Sequence, residues 1–110
     1  MKRLLLMRHA KSSWAEGPLA DFERPLNERG LKAAPLVGRF MRRQKLRPDL
    51  ILCSPAERAR QTAALVAEAA QFDAPLRYDE RIYEAAPARL AEVVSQVEDA
   101  ADELLLVGHN

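Results

Sequence analysis

The chain reads as an α/β protein, a three-layer αβα arrangement around a mostly parallel central sheet. Three observations carry this reading. Leu4-Leu5-Leu6-Met7, Leu50-Ile51-Leu52-Cys53 and Leu104-Leu105-Leu106-Val107 are continuous apolar runs of strand length, the pattern of strands buried on both faces of a parallel sheet. Segments with apolar residues at helical spacing lie between them. The order is strand, long connection, helix, strand, helix, short strand, helix, strand, which implies right-handed crossovers with helices flanking the sheet.

Each element follows from local chemistry. The first helix is predicted from Asn27 as cap to about Gln44. Its weak point is Pro35, which lacks the N–H of a helix interior and costs about 3 kcal/mol there, so a kink or a late start is expected. Ser54-Pro55-Ala56-Glu57 reads as the start of the second helix, with Ser54 as cap, Pro55 in the first helical position and Glu57 closing a capping box. Ala59, Ala63, Val66, Ala67 and Ala70 then form one apolar face. Leu76 to Tyr78 makes a short strand. A third helix begins near Pro87 and presents Leu90, Val93, Val94 and Val97 as a stripe.

Composition bounds the function. The 110 residues suit one domain, 1–110. They are 48% hydrophobic and 30% charged, which is globular composition. Lys and Arg number 17 against 16 Asp and Glu, a net charge of +1. That balance argues against a nucleic-acid or membrane-surface binder, both of which use a strong basic excess. The single cysteine, Cys53, excludes a disulfide framework and a cysteine-based zinc site. Leu4 to Met7 is shorter than a signal-peptide core, and no run reaches the length of a membrane span. The expected setting is cytoplasmic.

In sheets of this kind, sites gather at the carboxyl ends of strands. Arg8-His9 follows the first strand, and Gly108-His109-Asn110 follows the last. Arg58 lies in the first turn of the helix that follows the second. The chain's two histidines thus occupy equivalent strand tips. Two imidazoles, two guanidiniums and a helix N-terminus make an anion pocket suited to a phosphoryl group. Arg8 and Arg58, as cations, would also disfavour the imidazolium form of His9.

Leu6-Met7-Arg8-His9-Ala10-Lys11-Ser12-Ser13-Trp14 resembles the first signature of the histidine phosphatase superfamily, whose fold is phosphoglycerate mutase-like. Ser54-Pro55-Ala56-Glu57-Arg58-Ala59-Arg60-Gln61-Thr62-Ala63 is similar to its second motif, and Val107-Gly108-His109-Asn110 to its third. With Arg24-Pro25-Leu26-Asn27-Glu28-Arg29-Gly30, the chain looks most like the phosphohistidine phosphatase branch of SixA type. The resemblance implies that His9 attacks phosphorus and carries a phosphohistidine intermediate later cleaved by water. It implies that Arg8, Arg58 and His109 hold the phosphoryl oxygens as charge develops. Glu80-Arg81-Ile82-Tyr83-Glu84 has the spacing of the family's leaving-group acid, Glu-x-x-aromatic-Gly, with Glu84 in place of Gly. Glu80 is preferred over Glu84 for that role, the alternative being that both are surface carboxylates.

Ala10 stands where the family usually has Gly. Ala15 stands where mutases place Asn, which weakens a sugar-phosphate mutase reading. The chain stops directly after the third motif, where the family continues with a helix and further strands, so the C-terminal part of the usual domain is expected to be missing. Residues 10–26 form a long connection in which Lys11, Trp14 and Arg24 are candidates for substrate contact, the alternative being that Trp14 packs on the core. Cys53 lacks an Arg at the spacing of a tyrosine-phosphatase loop, since Ala59 sits there, and is expected to be a buried strand residue.

The expected activity is metal-independent dephosphorylation of phosphohistidine in a protein, with no cofactor and no metal. The expected partner is a phosphorylated protein or a small phosphorylated substrate, without nucleic acid or membrane. The alternatives are a small-molecule phosphomonoesterase of the same superfamily, or a non-catalytic phosphate-binding module or inactive fragment.

Overall fold

The computed structural model describes residues 3–13, 21–97 and 101–109. Trp14, Ala15 and Asn110, each singled out in the sequence, lie outside the described residues. The described elements run β1 (Arg3–Arg8), α1 (Glu28–Arg43), β2 (Leu50–Cys53), α2 (Glu57–Ala70), β3 (Leu76–Tyr78), α3 (Pro87–Ser95) and β4 (Glu103–Gly108), with 3-10 turns at Asp21–Glu23 and Glu80–Ile82. The four strands form one parallel sheet in the order β1-β4-β2-β3.

The side chains of β2 and β4 divide alternately between two cores, as the period of two along a strand requires. Ile51, Cys53, Leu105 and Val107 face α1 and α2, together with Ala34, Met41, Ala63 and Val66. Leu50, Leu52, Leu104 and Leu106 face the other way, against Ile82 and Val93. These are the three layers that the apolar runs predict, with two helices on one face and α3 on the other.

β1 departs from that prediction. Its burial alternates, and Leu4 and Leu6 are 38% and 68% exposed. The reason is position. β1 is the sheet edge beside β4, and α3 packs over β2 and β4 instead. Leu5 and Met7 face the α1–α2 side and are partly buried there.

α1 confirms its caps: the Asn27 side chain accepts from the Gly30 N–H at 2.9 Å, and Gln44 closes the far end. The late start expected from Pro35 does not occur, and Pro35 lies inside the helix. The helix packs closely on α2. A Cβ on Gly38 would stand 2.6 Å from the Val66 carbonyl oxygen, so glycine lets α1 and α2 meet backbone to backbone.

α2 starts later than expected, at Glu57, with Ala56 as cap and no side-chain cap. Ser54 therefore does not cap the helix as the sequence predicts; its hydroxyl is engaged elsewhere, as the site shows. Cys53 is fully buried, and burial pushes its thiol up to about 12. No helix among the described residues is long and apolar enough to cross a membrane.

Candidate active site

Parallel pairing delivers the motifs to one end of the sheet. Arg8 is in register with Gly108, and the His9 N–H bonds to the Gly108 carbonyl at 2.9 Å. Cys53 is in register with Val107, and the Ser54 N–H bonds to the Val107 carbonyl at 3.0 Å. His9, Ser54 and His109 are thereby brought side by side from three strands. The His9 and His109 rings meet edge to face with centroids 5.2 Å apart.

Arg58 comes from the first turn of α2 and is 3% exposed. Its Nε donates to His9 Nε2 at 3.3 Å, and its Nη2 donates to His109 Nδ1 at 3.4 Å. A guanidinium only donates, so both of those ring nitrogens are unprotonated. The His9 proton then lies on Nδ1 and bonds to the Ala10 carbonyl at 2.7 Å. The His109 proton lies on Nε2 and bonds to the Ser54 hydroxyl at 2.8 Å. His9 Nε2 is thus unprotonated, and its one lone pair accepts from Arg58 in the free site.

The surroundings favour these neutral forms. Burial is the largest influence lowering the pKa of His9, followed by Arg58, Arg8 and Arg24, against a smaller raising effect of the Ala10 carbonyl than that of burial. His109 is lowered to about 4 by burial first, then by Arg58 and His9.

The peptide after His9 is also held. Thr62 donates to the Arg58 carbonyl at 2.8 Å and accepts the Ala10 N–H at 2.9 Å. On the far side of the loop, the Lys11 carbonyl accepts the Asn27 N–H at 3.0 Å, and the Leu26 N–H bonds to Gln61 at 2.7 Å. Gly30 permits this closure, because a Cβ there would lie 2.1 Å from the Lys11 carbonyl oxygen.

These residues surround a cavity of about 570 Å³. His9, Arg8, Arg58 and His109 line it, with Lys11, Arg24 and Glu84. Arg8 is exposed, whereas Arg58 is buried. Glu80 is exposed in its 3-10 turn and is not among the lining residues; the carboxylate at this cavity is Glu84. Glu84 has φ +51°, a left-handed backbone at a position where the family pattern has glycine.

Sequence reasoning missed Asp21. Its carboxylate accepts from Arg58 Nη2 at 3.0 Å, from Arg24 Nη2 at 3.0 Å and from the Tyr83 hydroxyl at 2.5 Å. The Tyr83 hydrogen bond, then those of Arg24 and Arg58, hold it well below the usual carboxylate range. Arg24 is a local partner three residues on, but the bonds to Arg58 and Tyr83 that tie it to the site span 37 and 62 residues, which no local pattern marks. Among the described residues, no group of three His, Cys, Asp or Glu side chains is placed to hold a metal ion.

Two histidines in neutral form and a buried arginine thus gather at one end of a parallel αβα sheet. The family model of the histidine phosphatase superfamily (branch 1) matches residues 4–101, and the chain belongs to that superfamily. An uncharacterized protein of Mycobacterium tuberculosis is 47% identical over 103 residues, which are 94% of this chain and 62% of that protein. This chain therefore spans less than two thirds of the length of that relative. The solved structure of a candidate phosphohistidine phosphatase SixA from Agrobacterium tumefaciens is 34% identical, with a TM-score of 0.92 over 99% of this chain and 70% of that one. Phosphoserine phosphatase 1 of Hydrogenobacter thermophilus is 36% identical over 77 residues, 66% of this chain and 35% of that protein.

Proposed function

We propose that this domain is a metal-independent phosphatase that works through a phosphohistidine on His9 and acts on phosphohistidine carried by a protein. The observation that carries the reading is the pair of fixed tautomers: Arg58 bonds to the unprotonated nitrogen of each histidine. His9 Nε2 attacks phosphorus as the bond from phosphorus to the substrate's ring nitrogen breaks, and the substrate imidazole, already protonated by solvent on its other nitrogen, leaves neutral. Water then attacks the phosphorus on His9 Nε2, releasing phosphate and restoring the imidazole. Arg58, Arg8 and Lys11 supply positive charge where the phosphoryl oxygens would lie, which is most of what phosphoryl transfer asks of a protein.

His109 takes part only by changing its proton count. Its Nδ1 accepts in the free site, so it can donate to a phosphoryl oxygen only as imidazolium, with Nε2–H still on Ser54. A dianion in the cavity favours that protonation.

Phosphohistidine suits this site because transfer from one imidazole to another exchanges like bonds and needs no strong acid. The likeness to the A. tumefaciens structure supports the same substrate class. Glu84 at the cavity wall supports a second reading, a small phosphomonoester, for which a carboxylic acid would protonate the alkoxide. The likeness to phosphoserine phosphatase 1 points the same way.

A ³¹P NMR time course with a phosphohistidine-bearing protein, in chelator and without added metal, tests the proposal. Release of phosphate by the wild type and none by His9→Ala, with folding intact, is expected. Turnover undiminished in His9→Ala would overturn the mechanism. Glu84→Gln separates the two substrates: loss on alkyl phosphates alone favours the monoester reading.

A further inference from the structure

Arg58 has two usable edges, and they face different partners. The edge formed by Nε and Nη2 is turned to His9 and His109, at 3.3 and 3.4 Å. The other end is held by Asp21: Nη1 donates to its main-chain carbonyl at 2.6 Å, and Nη2 donates to its carboxylate at 3.0 Å. The same residue thus grips the guanidinium through main chain and side chain together.

Burial makes this grip consequential. A guanidinium that is 3% exposed needs a counter-charge. Among the described residues its ion-pair partner is Asp21, while Arg8, Lys11 and Arg24 around the same cavity are cations. Asp21 also binds Arg24 through its second carboxylate oxygen, at 3.0 and 3.3 Å. Arg24 in turn bonds to the Ser12 hydroxyl at 2.5 Å and to the Ser13 carbonyl at 3.0 Å. Tyr83 closes the arrangement, with its hydroxyl on Asp21 and its ring edge against His109 at 5.4 Å between centroids.

We infer that Asp21 is a positioning residue: it fixes Arg58 from behind so that the Nε–Nη2 edge stays aimed at the phosphoryl site, and it ties Arg24 to the same frame. A carboxylate on an active-site arginine has a competing meaning, that of a plug which must leave before a phosphoryl group binds. The geometry favours the first meaning, because Asp21 takes the Nη1–Nη2 end, sharing only Nη2 with His109, and leaves Nε to His9.

The inference rests on the proposed phosphatase reading for its kinetic consequence, and has an independent structural one. In Asp21→Ala, kcat falls by about 10²-fold, the usual scale for a misplaced catalytic group, and the fall in kcat exceeds any rise in KM. Asp21→Asn keeps an acceptor oxygen and the main-chain bond, and retains an intermediate rate even where the alanine variant folds poorly. In ¹⁵N spectra of the ligand-free protein, the Arg58 Nε–H exchanges slowly in the wild type and fast in Asp21→Ala. Unchanged kcat with unchanged Nε–H protection overturns the inference. Tighter binding of inorganic phosphate by either variant overturns it in favour of the plug. If the wild type turns nothing over, the phosphatase reading falls, while Nε–H exchange still decides the role of Asp21.

Discussion

At Ser54 a fully buried hydroxyl lies 2.8 Å from His109 Nε2 and 3.3 Å from the Ala56 N–H. It holds the one tautomer of His109 that can accept from Arg58. Ser54→Ala leaves the ring N–H without an acceptor, a loss of about 1–3 kcal/mol for a buried donor. The expected result is a folded protein with lowered Tm and a kcat reduced by roughly tenfold or more, the kinetic equivalent of about 1.4 kcal/mol. Retention of full kcat would mean that His109 is held by other contacts. Arg58 is the more demanding position. Arg58→Lys keeps the charge but cannot bond His9, His109 and Asp21 from one plane, and kcat is expected to fall by about 10³-fold or more. Steady-state kinetics with a chromogenic phosphate ester checks both.

Glu84 joins residue chemistry to backbone strain. Its φ of +51° costs an L-residue about 1–2 kcal/mol, which glycine does not incur. Glu84→Gly is therefore expected to raise thermal stability, by up to about 1 kcal/mol after the extra flexibility of the unfolded chain is counted. The same variant removes the carboxylate from the cavity and should slow hydrolysis of alkyl phosphates. Calorimetry and kinetics on one sample test the opposed signs; a variant both less stable and fully active contradicts the argument. Glu80→Gln, at an exposed turn away from the cavity, is expected to change neither.

At the scale of the elements, the site depends on how closely the first helix approaches the loop that follows β1. Gly30→Ala would place a methyl 2.1 Å from the Lys11 carbonyl oxygen, and the three nearest atoms are all Lys11 backbone. The helix or the loop must shift, at about 1–3 kcal/mol for overpacking. Because Lys11 lies two residues from His9, activity should fall further than the lost stability explains. Chemical denaturation beside kinetics separates the two. The elements themselves were largely legible in the sequence. Asn27, Pro87 and the apolar runs lie where local chemistry alone sets an end or a strand. The failures have a common cause. Ser54 looked like a helix cap because capping is local, and it was instead drawn to a histidine 55 residues away. β1 looked like a doubly buried strand because its run is continuous, and nothing in four apolar residues reports that the strand ends at an edge.

For the whole molecule, the histidines set a pH window. The pKa of His109 in the fold is lowered to about 4 from an ordinary value of 6.5, with burial as the first cause. Below 6.5 the unfolded chain takes up this proton and the folded chain does not, so stability is fully present above that pH. It is lost as pH falls toward about 4. His9 is shifted in the same direction and adds to the effect. Asp21 and Asp79, both lowered, lose their contributions only at more acid pH. Thermal melts are therefore expected to fall steadily from neutral pH through this window, and to fall less in His109→Gln. A flat profile between pH 7 and 4.5 would contradict the buried, neutral histidine.

By itself, the sequence determined the class of fold, the order of its elements and the superfamily, because apolar periodicity, caps and the three motifs are properties of neighbouring residues. It placed Arg8, His9 and His109 at strand ends and Arg58 in the first turn of the helix after β2 for the same reason, since a parallel sheet brings every such end to one side. Tertiary structure decided the rest: which nitrogen of each histidine is free, that Asp21 grips Arg58, that Ser54 serves His109, and that Glu84 and not Glu80 reaches the cavity. Those outcomes depend on directions and distances between residues far apart in the chain. Hydrogen bonds and buried charges are selected by geometry of that kind, which no local pattern encodes.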